Sequence, residues 1–139
     1  MPKSLLDTDI FSEILKGVDQ AVAQRATAYR ATFGHYVLST ITIMEIVKGL
    51  HKVGREERIQ QFLQGLRQVE VLTLDERSAE LAGRILADLE RIGQPIGRAD
   101  PMIAASALQY GLTLVTGNTA HYERIRVLGY ALEIENWRI

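Results

Sequence analysis

Short apolar runs alternate along this chain with longer segments whose apolar residues recur at helical spacing, and an acid or amide marks four of the junctions. Asp7 follows Leu5-Leu6. Glu45 closes Leu38-Ser-Thr-Ile-Thr-Ile-Met-Glu45, Asp100 stands in Gly97-Arg-Ala-Asp100-Pro, and Asn118 ends Leu114-Val-Thr-Gly-Asn118. Strands separated by helical segments of a dozen residues or more are joined by right-handed crossovers and lie parallel in one sheet. The predicted fold is therefore α/β: a single-domain three-layer α/β/α sandwich over residues 1–139, with a central, mainly parallel sheet. In such sheets ligands bind outside the carboxyl ends of the strands. Asp7, Glu45, Asp100 and Asn118 are thus expected to converge on one pocket.

The pattern in between is consistent with that reading. Ile10, Phe11, Ile14, Leu15 and Val18 predict a first amphipathic helix, and the Ala-rich segment 20–33 a second, ending at Gly34. Tyr36 to Ser39 reads as a strand, followed by helical spacing from Ile43 to Val53 and again from Ile59 to Val69. Val69 to Leu74 is a further predicted strand. Asp75 is placed to cap the helix that carries Leu81, Ile85, Leu89 and Ile92. After the turn cluster Gly93 to Gly97, the segment Asp100 to Tyr110 is small or apolar on every side, which predicts a helix buried against the sheet. Thr113 to Thr116 and Ala131 to Ile134 complete the predicted strands.

Composition excludes several classes. The absence of cysteine removes disulfides, zinc-thiolate sites and a cysteine nucleophile. A net charge of −1 provides no global field for nucleic acid, so any such contact rests on a local patch or a metal. No apolar stretch approaches the roughly 20 residues a bilayer requires, and the opening Met-Pro-Lys-Ser-Leu-Leu lacks a signal-peptide core. A soluble, cytoplasmic protein without a membrane partner is the expectation.

Each marked residue also has a purely structural reading. Asp7 suits a helix N-cap. Thr42-Ile-Met-Glu45 fits a capping box, and Glu45 also lies at surface-pair spacing from Lys48. Asp100-Pro101 fits an N-cap followed by proline at the first helical position, and Gly117-Asn118 fits a turn. Arg98, Lys48, His51, His121 and Arg124 suit either substrate contacts or solvated surface. The joint pattern favours chemistry. Three clustered carboxylates repel one another and raise at least one pKa unless a cation intervenes. Carboxylate and amide oxygens are the ligands that Mg²⁺ or its substitute Mn²⁺ takes.

Leu-Leu-Asp7-Thr-Asp, Ser39 to Gly49 around Glu45, Ala99-Asp100-Pro-Met-Ile-Ala-Ala105, Leu114 to Ile125 around Asn118, and the closing Ile134-Glu-Asn-Trp137 together resemble the PIN-domain family, in particular its VapC-type toxin branch. The resemblance runs through the whole chain in the family's order. It implies a Mg²⁺-dependent endoribonuclease acting on RNA, encoded with a small antitoxin protein that inhibits it, and often a homodimer. Carried over by position, the family's acids fall on Asp7, Glu45 and Asp100. Its fourth site, often Asp, is Asn118 here, so one firmly held ion is expected, with Asp7 and Asp100 as its ligands. Two other readings compete. Asp7-Thr-Asp9 resembles the nucleophile and acid of a covalent-aspartate phosphatase, but the downstream lysine and acidic pair that chemistry needs are missing. The acids can also be caps only, in a non-catalytic RNA- or partner-binding module.

Overall fold

The computed structural model describes residues 1–139. Along the chain the elements are β1 (Ser4–Leu6), α1 (Thr8–Lys16), α2 (Gln20–Phe33), β2 (Tyr36–Ser39), α3 (Thr40–Lys52), α4 (Glu56–Gly65), β3 (Val69–Leu72), α5 (Glu76–Arg91), α6 (Ala99–Gln109), β4 (Thr113–Val115), α7 (Thr119–Val127) and β5 (Ile134–Glu135). All the ladders are parallel: β1 pairs with β4, β4 with β5, and β2 with β3. Because β1 also packs against β2, the spatial order is β3-β2-β1-β4-β5. The chain thus builds outward from β1 in one direction, then returns and builds outward in the other. The reversal between β1 and β4 is the topological switch point, where the loops at the strand ends part and leave a crevice.

A parallel sheet covered on both faces needs strands that are apolar throughout. Leu5, Val37 and Leu114 point to one side, into a core with Ile85 and Leu89 of α5, Ile103 to Ala105 of α6, and Ile125 of α7. Their neighbours Leu6, Leu38 and Val115 point to the other, where Ile10, Phe11, Val22, Tyr29, Ile46, Phe62 and Trp137 enclose them. This strand alternation produces the three layers. α6 carries almost no amphipathic contrast, and Pro101 and Ile103 to Ala107 are buried, as its composition predicts.

Several boundaries differ from the expected ones by one or a few residues. β3 stops at Leu72, and the periodic segment expected to reach Val69 ends at Gly65, followed by a short 3-10 turn over Leu66–Gln68. β5 is Ile134–Glu135, because β4 offers only Leu114 and Val115 as partners; Leu132, ahead of it, is buried in the core. No helix is long and apolar enough to cross a membrane.

The central strand is held from the α2 side by Tyr29, whose ring packs 4.7 Å from Phe33 and 5.7 Å from Trp137. Its hydroxyl accepts from Ser4 N at 3.1 Å and donates to Ser4 O at 3.3 Å. Deleting that hydroxyl strands two buried backbone groups at the start of β1. We predict that Tyr29→Phe costs about 1–3 kcal/mol, and Tyr29→Ala about 3–5 kcal/mol. Urea unfolding with an unchanged m-value checks both; a neutral Tyr29→Phe would mean that Ser4 finds other partners.

Candidate active site

Asp7 sits where β1 becomes α1, with only 4% of its surface exposed. Its amide continues the ladder by donating to Val115 O at 2.8 Å, and its carbonyl begins the helix by accepting from Phe11 N at 3.1 Å. The side chain is fixed at both oxygens. Oδ1 accepts from Thr8 N, and Oδ2 from Thr116 Oγ1, each at 2.8 Å. Asp7 is therefore the cap its sequence suggests, but it is also tied across the switch point to the end of β4. Burial pushes its pKa up to about 7; the charge of Asp9 and, less strongly, that of Asp100 add to this, while Thr116 and Thr8 pull it back.

Asp9 completes the bridge between the two strand ends. Its Oδ1 accepts from Ile10 N at 2.8 Å and its Oδ2 from Gly117 N at 2.9 Å, and burial raises its pKa too. Gly117 leaves room for two side-chain ends. A Cβ there would collide with the Arg138 guanidinium and stand 2.8 Å from Asp9 Oδ2.

Glu45 is not part of a capping box. α3 starts at Thr40, capped by Ser39, whose hydroxyl accepts from Ile41 N at 3.0 Å. Thr42 therefore lies inside the helix, and Glu45 falls one turn later than a box needs. Its partner is Thr8, which donates to Glu45 Oε1 at 2.5 Å, and not Lys48. Thr42 Oγ1 is 3.0 Å from the same Thr8 hydroxyl, so α1 and α3 meet through two threonines beneath the carboxylate.

Asp100 is not the cap of its helix either. α6 begins one residue earlier, with Arg98 at the cap position and no side-chain bond there. Pro101 is still in the first turn, where its missing N–H costs nothing. Freed from capping, the Asp100 carboxylate lies 3.0 Å from His121 Nδ1. That ring nitrogen is also 2.9 Å from the Asn118 side-chain amide. It cannot accept from an amide and donate to a carboxylate at once. The tautomer of His121 decides which of the two contacts is the hydrogen bond, and in either case the ring stands between Asp100 and Asn118.

Asp7, Glu45, Asp100 and Asn118 thus line one cleft of about 440 Å³, shared with Thr8, Asp9, Gly117 and Arg138. Sequence reading misses Thr8, Thr116 and Arg138, because a threonine beside an acid or an arginine near a chain end carries no periodic signal. Lys48 and His51 are exposed and Arg124 bonds Pro95 O; none of them lines the cleft, and His121 reaches it only through Asp100 and Asn118.

The donor set suits a hard divalent cation. No three acidic or histidine side chains stand close enough to cage an ion by themselves. Mg²⁺ needs no cage: it keeps several waters and takes one or two carboxylates. The buried Tyr122 hydroxyl faces Asp7 and Asp100 from beneath, and burial followed by those two charges holds its pKa far above the usual value.

A family model described as PIN domain matches residues 4–127. The chain is 34% identical over 138 residues to the tRNA(fMet)-specific endonuclease VapC of Shigella flexneri, covering 99% of each. Among solved structures it is similar to DNA-bound VapBC from Salmonella typhimurium, with a TM-score of 0.82, 33% identity and 99% of each chain covered. VapBC2 from Rickettsia felis, bound to a fragment of its promoter, gives a TM-score of 0.80 at 26% identity, over 96% of this chain and 98% of that one. The chain belongs to the PIN-domain family, in its VapC branch.

Raised from 3.8 to about 7, the Asp7 pKa makes stability depend on pH. The protonated carboxyl favours the folded state, so this contribution is complete below pH 3.8 and is lost as pH rises through about 7. Asn at this position still accepts from Thr8 N and donates to Thr116 Oγ1. We predict that Asp7→Asn stabilises the metal-free protein at pH 8 by roughly 2–4 kcal/mol, with the gap closing near pH 4. Thermal unfolding in chelator across that range measures it; equal Tm values at pH 8 would show that Asp7 is not burdened by its charge.

Proposed function

We propose that this protein is a Mg²⁺-dependent endoribonuclease that hydrolyses RNA phosphodiester bonds, acting as the toxin of a toxin–antitoxin pair. The observation that carries the reading is the convergence of Asp7, Glu45 and Asp100 at the carboxyl ends of the strands, with Asp7 pushed up to about 7. The ribonuclease names of the VapC relatives support it.

Asp7 and Asp100 would hold Mg²⁺, which supplies a Lewis acid for the scissile phosphate and acidifies bound water. Glu45, oriented by Thr8, accepts the proton of the attacking water. Thr116 and Thr8 fix the Asp7 oxygens, and His121 with Asn118 fixes Asp100. The tRNA(fMet) named for the Shigella relative is the first RNA to test.

The antitoxin has a seat beside this cleft. α1, α3 and α4 border a groove of about 1050 Å³ lined by Phe11, Ile14, Leu15, Leu50 and Phe62, and Thr8 and Glu45 line both groove and cleft. Leu15 is 53% exposed and Val18, on the groove's rim, 78%. An amphipathic helix laid in such a groove covers apolar surface and reaches the entrance to the acids. The VapBC complexes among the structural relatives support this pairing.

Three outcomes test the reading. Asp7→Asn and Asp100→Asn abolish RNA cleavage and growth arrest while the circular dichroism spectrum is kept, whereas Asn118→Ala, which touches Asp100 only through His121, costs about 10- to 100-fold. A folded Asp7→Asn protein that still cleaves would end the assignment. Millimolar Mn²⁺ raises the Tm, by the equivalent of about 2.7 kcal/mol at a hundred times its Kd; no shift would favour the cap-only binding module. Co-expression with the neighbouring small reading frame yields a complex on size exclusion, and Leu15→Glu disrupts it. A groove filled instead by a second copy of the chain would appear as a homodimer sensitive to the same substitution.

A further inference from the structure

The cleft lining holds a single basic side chain, and it comes from the far end of the sequence. Trp137 is buried in the aromatic cluster around Tyr29, and its Nε1 donates to Glu135 Oε1 at 3.1 Å. On the other side, Arg25 Nη2 donates to Ile139 O at 2.6 Å and its Nη1 lies 3.4 Å from Glu135 Oε1. The Arg138 amide itself donates to Asn136 Oδ1 at 2.9 Å. With both neighbours tied down, the Arg138 side chain lies over Gly117 and lines the cleft.

There the guanidinium is held loosely. Its Nη1 is 3.5 Å from Asp9 Oδ2 and its Nη2 is 3.6 Å from Glu13 Oε1. A well-made arginine–carboxylate bond is about 2.7–2.9 Å. Neither contact reaches that, so most of the five N–H donors remain available. The guanidinium occupies the space where a Cβ at Gly117 would stand, so a side chain there would displace it from its present place.

A scissile phosphate entering this cleft meets Asp7, Asp9, Glu45 and Asp100, and the chain as a whole has no positive field to offset them. A guanidinium fixed at the rim with unused donors matches a phosphate's paired oxygens. We propose that Arg138 is a substrate-binding residue that seats an RNA backbone phosphate at the edge of the acidic cleft, exchanging its long contacts with Asp9 and Glu13 for phosphate oxygens. The proposal rests on the nuclease reading for its substrate. The competing role is neutralisation of Asp9, whose pKa the Arg138 charge lowers, and of Glu13; that role predicts a fall in Tm and no change in salt slope on losing the guanidinium.

The test compares wild type, Arg138→Gln and Arg138→Lys on a short single-stranded RNA that wild type cleaves, with Mg²⁺ present. Binding is measured in a Glu45→Gln background across a salt series. Arg138→Gln is expected to weaken binding about tenfold, to raise KM with kcat changed far less, and to flatten the plot of log Kd against log salt by roughly 0.7 for the lost phosphate contact. Arg138→Lys should recover the slope but only part of the affinity, and the Tm of both should stay near wild type. An unchanged salt slope in Arg138→Gln overturns the proposal while leaving the nuclease reading intact; so does weaker binding that tracks a fallen Tm. If no RNA tested is cleaved but binding still loses that slope, the nuclease reading fails and the phosphate contact stands. If wild type binds no RNA, both fail.

Discussion

A carboxylate that is buried, bonded at both oxygens and still ionisable is the constraint around which this fold is arranged. Asp7 joins the end of β1 to the end of β4 through Thr116, and begins α1 through Thr8. Asp9 repeats the tie two residues on through Gly117 N. These bonds close the switch point of a parallel sheet over a group that water would otherwise solvate. The resulting charge burden, visible in a pKa pushed up to about 7, is relieved either by a proton or by a cation. Fold and chemistry thus share one electrostatic problem.

The two helical layers contribute different parts of its solution. From the α6–α7 side come Asp100, His121 and the buried Tyr122 hydroxyl. From the α1–α3 side come Thr8, Thr42 and Glu45, linked through hydroxyl groups. Neither layer forms the cleft alone. Because Thr8 and Glu45 also border the apolar groove of α1, α3 and α4, whatever fills that groove lies against the entrance to the acidic cleft. On the proposed reading, a partner seated there blocks the cleft by proximity, with no conformational relay.

The caps show how local rules and tertiary demands diverge. Asp7 obeys the N-cap rule and serves the site as well. Glu45 and Asp100 are each displaced by one or a few residues from the cap their sequences suggest, because Ser39 and Arg98 occupy the cap positions. A helix boundary moves easily by a residue or two, since the first turn's N–H groups are unbonded in any case. The side chains released by that shift are the ones that reach Thr8 and His121.

The sequence by itself determined the parallel α/β architecture, the buried α6, and which four residues meet, because strand and helix periods and the strand-end rule act locally or follow from topology. It also carried the family in the order of its short motifs. Only the tertiary structure decided what each carboxylate bonds to, that Asn118 faces His121, and that Arg138 enters the cleft. The last depends on Trp137 and Ile139 being anchored by Tyr29 and Arg25, residues more than a hundred positions earlier. Contacts of that range leave no trace in spacing. They exist because α2 packs on the same face of the sheet as the residues that follow β5.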